Sequence, residues 1–185
     1  SGQRINEYLN IIGGHYELAG EKLKAVQYLE RAGESFYKMN AYQEALSALD
    51  RCQKLLPGED LRKRDEIEVK LGEINTDKGE YSKARNHFFD ALKDDHLMSS
   101  HDIVVSLFRL GWIFSKMGEY EKGIEYVERG LEIATNSNDT NGTVQCLHTK
   151  GWINFLVGDF EDAIDCAHEA LGISREINDK RSISL

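Results

Sequence analysis

Cys146-x-His148 and Cys166-x-His168 are the residues whose types and spacing first suggest chemistry. Two thiolates and two imidazoles can hold a tetrahedral zinc ion. A helix works against that arrangement, because residues two apart point about 200° from each other and cannot face one ion. The same spacing is that of core thiols beside surface imidazoles, and no metal site is expected. The six histidines, His15, His87, His96, His101, His148 and His168, are spread along the whole chain. No nucleophile–base set, glycine-rich elbow or phosphate-cradling loop accompanies them. No catalytic residue and no cofactor is assigned, and the chain is not expected to be an enzyme. Asn138-Asp-Thr140 and Asn141-Gly-Thr143 match the glycosylation acceptor pattern. Without a signal peptide they are better taken as a polar loop and a helix cap.

Composition narrows the classes further. The 185 residues carry 23 Lys+Arg against 32 Asp+Glu, a formal net charge of −9. That balance argues against nucleic acid as a partner, since phosphate binding relies on excess Lys and Arg. No segment approaches the roughly 18 consecutive apolar residues of a membrane span, so no membrane partner is expected. Three cysteines, an odd number, suit a reducing compartment, and a cytoplasmic location is expected. A single proline implies a chain that is helical over roughly three-quarters or more of its length.

Internal repeats organise those helices. LGEINTDKGEYSKARNHFFDALK from Leu71, LGWIFSKMGEYEKGIEYVERGLE from Leu110 and KGWINFLVGDFEDAIDCAHEALG from Lys150 superpose. Gly72, Gly111 and Gly151 coincide; so do Gly79, Gly118 and Gly158, then Tyr81, Tyr120 and Phe160. A looser copy aligns Gly33, Asn40 and Tyr42, and the steps are 39, 39 and 40 residues. A period this regular means a stacked array whose units lean on their neighbours. Apolar Ile103, Val104, Leu107, Phe108, Leu110 and Ile113 recur at helical spacing before Gly118, and Tyr120, Ile124, Val127, Leu131 and Ile133 after it. The aligned glycines fall where a helix must turn over in a left-handed conformation, and Asn40 is the best substitute there. Ser99-Ser-His-Asp102 resembles a capping box, Asp139-Thr140 can cap the following helix, and Pro57 marks a helix end. Small residues at Ala45, Ala84, Gly123 and Ala163, then Cys52, Ala91, Gly130 and Ala170, permit close helix approach, with Tyr42, Tyr81, Tyr120 and Phe160 as large partners.

A small residue, then G-[DE]-[YF]-x-x-A, then a small residue seven positions on resembles the tetratricopeptide repeat (TPR) over about residues 26–178. The resemblance implies an all-α, right-handed α-solenoid of helix-turn-helix units: an N-terminal helix over 1–20, repeats over 21–58, 59–98, 99–138 and 139–178, and the start of a fifth over 179–185. The family's usual period is about 34 residues; the longer step here, and the absence of the usual tryptophan where Leu107 and Leu147 stand, are similar to the long-repeat subfamily. That subfamily occurs in spindle-orientation scaffolds, bacterial aspartate-phosphatase regulators and large signalling ATPases and transcription activators, and His15 to Leu46 resembles the junction after the ATPase in the last group. The Ser-Gly start and RSISL end suggest a piece of a larger protein, one that would carry an ATPase, cyclase or kinase domain elsewhere. Helix 160–177 is then expected to present Ile164, Leu171 and Ile173 toward a missing unit and to support weak self-association.

In TPR arrays the first helices line a concave groove, and the resemblance places groove positions at Glu30, Glu34, Tyr37 and Lys38; at Glu66, Val69, Glu73 and Asp77; at Val105, Phe108, Trp112 and Lys116; and at Gln145, His148, Trp152 and Phe155. Peptide-binding members often carry asparagine where Glu34, Glu73, Trp112 and Trp152 stand here. The groove is expected to be acidic in its first half and aromatic in its second, with the two tryptophans one repeat apart, roughly 10 Å by the spacing of packed helices. A partner segment basic at one end and aromatic or aliphatic at the other would fit. The implied function is protein–protein interaction within a larger signalling or regulatory protein. The alternative is a sensor of a small ligand or oligosaccharide in a transcription regulator, because related arrays receive inducers and stacked aromatics suit sugars.

Overall fold

The computed structural model describes the backbone of residues 2–183 and the side chains of residues 8–93 and 95–176. Among the described residues there are nine α-helices and no strand: α1 (Gly2–Leu18), α2 (Lys22–Lys38), α3 (Tyr42–Leu55), α4 (Leu61–Asp77), α5 (Tyr81–Ala91), α6 (Ser100–Lys116), α7 (Tyr120–Asn136), α8 (Thr140–Val157) and α9 (Phe160–Ile183). The chain divides into two compact units, Ser1–Leu97 and Met98–Leu185. Within each, every helix packs against its neighbour in sequence as a hairpin. The helices α2 through α9 pair in chain order as α2 with α3, α4 with α5, α6 with α7 and α8 with α9.

The hairpins turn where a left-handed residue ends the first helix. Gly79, Gly118 and Gly158 have φ of +81°, +78° and +89°, and Asn40 takes the same conformation at +59°. Each turn closes with a bond that reaches back five residues, Glu80 N–H to the Asn75 carbonyl (2.8 Å) and Glu119 N–H to the Phe114 carbonyl (2.9 Å) among them. Gly20 and Asn138 end α1 and α7 in the same way. No atom lies within 4 Å of where a Cβ on Gly118 would stand. Gly118→Ala is therefore expected to cost only its left-handed backbone, about 1–2 kcal/mol. Gly172→Ala, equally uncrowded but in a helix, is the control expected to hold or gain stability. Equal urea midpoints for Gly118→Ala and the parent would remove this account of the turn.

Starts are capped as expected. Ser99 Oγ accepts the Asp102 N–H at 3.1 Å, and Asp139 Oδ1 accepts that of Gly142 at 2.9 Å. Asp60 does the same for α4, and Pro57 follows the end of α3. The second helix of the second repeat departs from the pattern. The α5 helix stops at Ala91, after 11 residues, and a 3-10 segment runs from Leu92 to Leu97. Asp95 lies near that end, where the helix dipole disfavours a carboxylate. The last helix continues through Ile183, past the expected end of the fourth repeat, and residues 184 and 185 lie outside the described residues.

Close packing rests on the small residues. In the first unit a Cβ on Gly33 would meet the Leu49 side chain at 2.9 Å, and one on Gly72 the Phe88 ring at 2.7 Å. In the second unit a Cβ on Gly111 would lie 2.2 Å from Val127 Cγ2. Leu29, Leu49, Ile67, Leu71 and Ile74 fill one core, and Val104, Val127, Cys146 and Ile153 the other.

Candidate functional site

The first helices of the first unit bring the expected acidic positions together, but among lysines. Lys63 Nζ on α4 lies 2.8 Å from Glu30 Oε1 on α2 and 2.9 Å from Glu66 Oε2. Lys70 Nζ lies 2.5 Å from the same Glu30 oxygen and also pairs with Glu34. Tyr37 Oη donates to Asp77 Oδ2 at 2.5 Å. Glu73 is half-buried on α4, and Val69 is buried. The face is thus a cross-linked network between α2 and α4, and Lys63 and Lys70 offset much of the negative charge expected of it.

Burial penalises the Glu30 carboxylate, yet the bonds and charges of Lys63 and Lys70 outweigh this and hold its pKa below the ordinary value. Burial also works against both ammonium groups, and the carboxylates around them outweigh it and raise both pKa values. A carboxyl lowered on folding contributes stability above its unfolded pKa and loses it as pH falls through the folded value. The raised lysines contribute below their unfolded pKa and lose it as pH rises through the folded one. Glu30→Gln is expected to lower the urea midpoint at neutral pH, by about 1 kcal/mol. That deficit should shrink below about pH 4. A deficit equal at pH 3 and pH 7 would show that the ion pairs contribute nothing.

The second unit holds an apolar trough. The α8 helix supplies Leu147, His148, Gly151, Trp152 and Phe155, and α9 supplies Phe160, Ala163, Ile164 and Ala167 around a cavity of about 720 Å³, with Trp112 of α6 at its edge. Phe155, Phe160 and Ile164 are each more than half exposed, and Trp152 is 36% exposed. The rings form a ladder: Trp112 to Trp152, Trp152 to Phe155 and Phe155 to Phe160 are separated by 5.7, 6.0 and 5.7 Å between centroids. The two indoles are closer than the roughly 10 Å expected, because that figure is an axis spacing and the side chains lean toward each other across it. Lys116 Nζ stands 4.1 Å from the Trp112 ring centre and 5.0 Å from that of Trp152, so it draws the two rings together.

A smaller cavity of about 280 Å³ lies beside the ladder, lined by Phe108, Arg109, Trp112, Gln145, His148 and Thr149. Val105, expected in the groove, is buried instead. His148 is exposed at the trough whereas Cys146, two residues before it, is fully buried. Cys146 is a core side chain, and its burial pushes the thiol up to about 12. Among the described residues no group of three or more His, Cys, Asp or Glu could hold a metal ion, and no helix is long and apolar enough to cross a membrane. Of the residues expected to face a further unit, Ile164 and Leu171 are exposed and Ile173 is half-buried.

Phe160, Ala163, Ile164 and Ala167 belong to a second helix and lie outside the first-helix positions expected to contact a ligand. Their signal was present in the repeat itself, where Tyr120, Gly123, Ile124 and Val127 occupy the matching places.

Comparison with known proteins agrees with this architecture. Two tetratricopeptide repeat models match, one over residues 101–176 and one over 27–58, together more than half of the chain. None of the curated proteins matches the sequence. Among solved structures the chain resembles MamA at 19% identity and a TM-score of 0.63, covering 91% of this chain and 97% of that one. It resembles the apo form of RapI at 15% identity and a TM-score of 0.74, over 95% and 72% of the two chains. A Rap protein complexed with competence and sporulation factor gives 16% identity and a TM-score of 0.72, over 97% and 57%. At these identities the likeness is one of fold.

Proposed function

Because the chain belongs to the tetratricopeptide repeat family, we propose that it is a non-catalytic interaction module that holds an apolar or aromatic segment of a protein partner in the trough between α8 and α9. The observation that carries this reading is the exposed ladder Trp152, Phe155, Phe160, continued by Ile164 along α9. Scattered apolar side chains on a surface need no explanation, but a contiguous apolar concavity marks a binding site. Trp is also enriched among the residues that dominate binding energy. A Rap protein solved with competence and sporulation factor supports the same reading by analogy of fold. The unpaired, buried thiols Cys52, Cys146 and Cys166 support a reducing compartment such as the cytoplasm.

Charge contributes less than the sequence suggested. The expected basic end of the ligand would meet Glu34, Glu66, Glu73 and Asp77, but Lys63 and Lys70 already pair with several carboxylates of that face. The selectivity proposed therefore rests on the second unit.

A small apolar ligand is the second reading, favoured by a volume of about 720 Å³, within the range of roughly 300–1,000 Å³ of small-molecule pockets. An oligosaccharide suits the site less well, because the polar groups of its lining are confined to His148 and the indole N–H groups of Trp112 and Trp152, and sugar hydroxyls need partners. Synthetic peptides bearing Leu and Phe, with no Trp of their own, are expected to shift the protein's tryptophan emission on titration, and polar peptides are not. A small ligand would instead raise the melting temperature in proportion to the logarithm of its free concentration. Emission unmoved by every apolar peptide, with both indoles beyond the reach of acrylamide, removes the site.

A further inference from the structure

The trough repeats, one period later, a surface that is covered within the same unit. Phe108, Tyr120 and Ile124 pack with Val127 against Cys146 and Ile153 of α8. The fit is close: Cys146 Sγ lies 3.1 Å from where a Cβ on Gly130 would stand, and Ile153 Cδ1 lies 3.0 Å from the same point on Gly123. Forty residues on, Tyr120, Ile124 and Val127 become Phe160, Ile164 and Ala167. These line the trough, and Phe160, Ile164 and Ala167 remain exposed. The covered seat shows what shape fits the open one: an α-helix with an apolar line, laid along α8 and α9, rather than an extended strand.

Among the described residues α1 carries such a line. Tyr8, Ile11 and Leu18 are exposed on one helical face, with the imidazole of His15 between the last two; Tyr8 is 62% and Leu18 88% exposed, while Gly13 lies against Leu29 of α2. At about 1.5 Å per residue the line from Tyr8 to Leu18 is about 15 Å long, and the trough wall from Leu147 to Phe155 about 12 Å.

We propose that the occupant of the trough is α1 of a second copy of the chain, so that copies associate head to tail. This rests on the reading of the trough as a docking site. The contact joins two different patches, so each dimer keeps one free α1 line and one free trough, and it extends to further copies unless a ring closes.

Sedimentation equilibrium over a wide concentration range tests this with three proteins: the parent chain, the double variant Ile11→Asp/Leu18→Asp, and Ile164→Asp. Circular dichroism checks that each is folded, and Tyr8→Ser serves as a milder α1 variant should the double one unfold. The parent is expected to gain mass with concentration, and each variant alone to associate roughly tenfold or more weakly. An equimolar mixture of the two variants is expected to form a dimer that grows no further, since it holds one intact line and one intact trough. A parent that stays monomeric, a mixture that stays monomeric, or an α1 variant that associates like the parent overturns the proposal. Loss of association in Ile164→Asp alone would instead mean a trough-to-trough dimer. If α1 plays no part while apolar peptides still shift the emission of the α1 variant, the trough stands as a docking site for another partner.

Discussion

Replacing Gly111 with alanine is expected to destabilise the C-terminal unit by about 1–2 kcal/mol or more, although alanine is the better helix former. The added Cβ would stand 2.2 Å from Val127 Cγ2 and 2.9 Å from the Gly123 carbonyl oxygen. Val127 is β-branched and helical, so its χ1 has essentially one rotamer and the methyl cannot swing aside. The carbonyl belongs to the α7 backbone and yields only if that helix shifts. Overpacking of this kind costs about 1–3 kcal/mol and sometimes more, against a gain of about 1 kcal/mol in helix propensity. For a unit of this size a net loss of 1 kcal/mol lowers the melting temperature by about 4 °C or more. Adding Val127→Ala should recover part of the loss, because it removes the methyl and leaves the carbonyl contact. Gly111→Ala melting with the parent would mean that α6 and α7 are not packed this closely.

Trp152→Ala is expected to weaken binding of an apolar segment by about 2–4 kcal/mol, the range of interface hot spots and about 30-fold or more in affinity. Trp152 is the rung through which the ladder is continuous, touching Trp112 on one side and Phe155 on the other. Its loss removes contact area and also the support that holds its neighbours. Lys116→Ala makes the contrasting case. Lys116 lies over both indoles but lines neither cavity, so its loss should change affinity by no more than about 1 kcal/mol, the scale of an exposed cation–π contact. Equal effects of the two substitutions, measured by titration with the same peptide, would remove Trp152 from the centre of the site.

The turns were legible in the sequence because a left-handed backbone has few tenants: Gly79, Gly118 and Gly158, with Asn40 in the same role, mark them by residue type alone. The small residues announced close helix packing for the same reason, since Gly111 and Gly130 in helix interiors need a neighbour that excludes a larger side chain. Pairings across repeats were not legible. Glu30 and Lys70 are 40 residues apart and meet only because α2 and α4 are brought side by side, so the acidic stretch looked freer than it is. The trough was half visible. Trp152 and Phe155 were placed in it through their first-helix positions, whereas Phe160 and Ile164 had been assigned to hairpin packing and to a missing neighbour. Side-chain reach was invisible as well, and the closeness of the two indoles depends on it.

Within each unit, packing of the helices against their neighbours in sequence also sets how that unit reaches its structure. Contacts that close over a few tens of residues carry a small loop-closure cost, and chains dominated by such contacts cross their folding barrier quickly. In arrays of this kind structure can nucleate in any unit and spread to the next, with stability distributed unit by unit. Amide exchange would then record a gradient, slowest where Leu29, Ile67 and Leu71 of one core and Val104, Val127 and Ile153 of the other are sealed, and fastest in the backbone of α9, whose outer face carries the exposed Ile164 and Leu171.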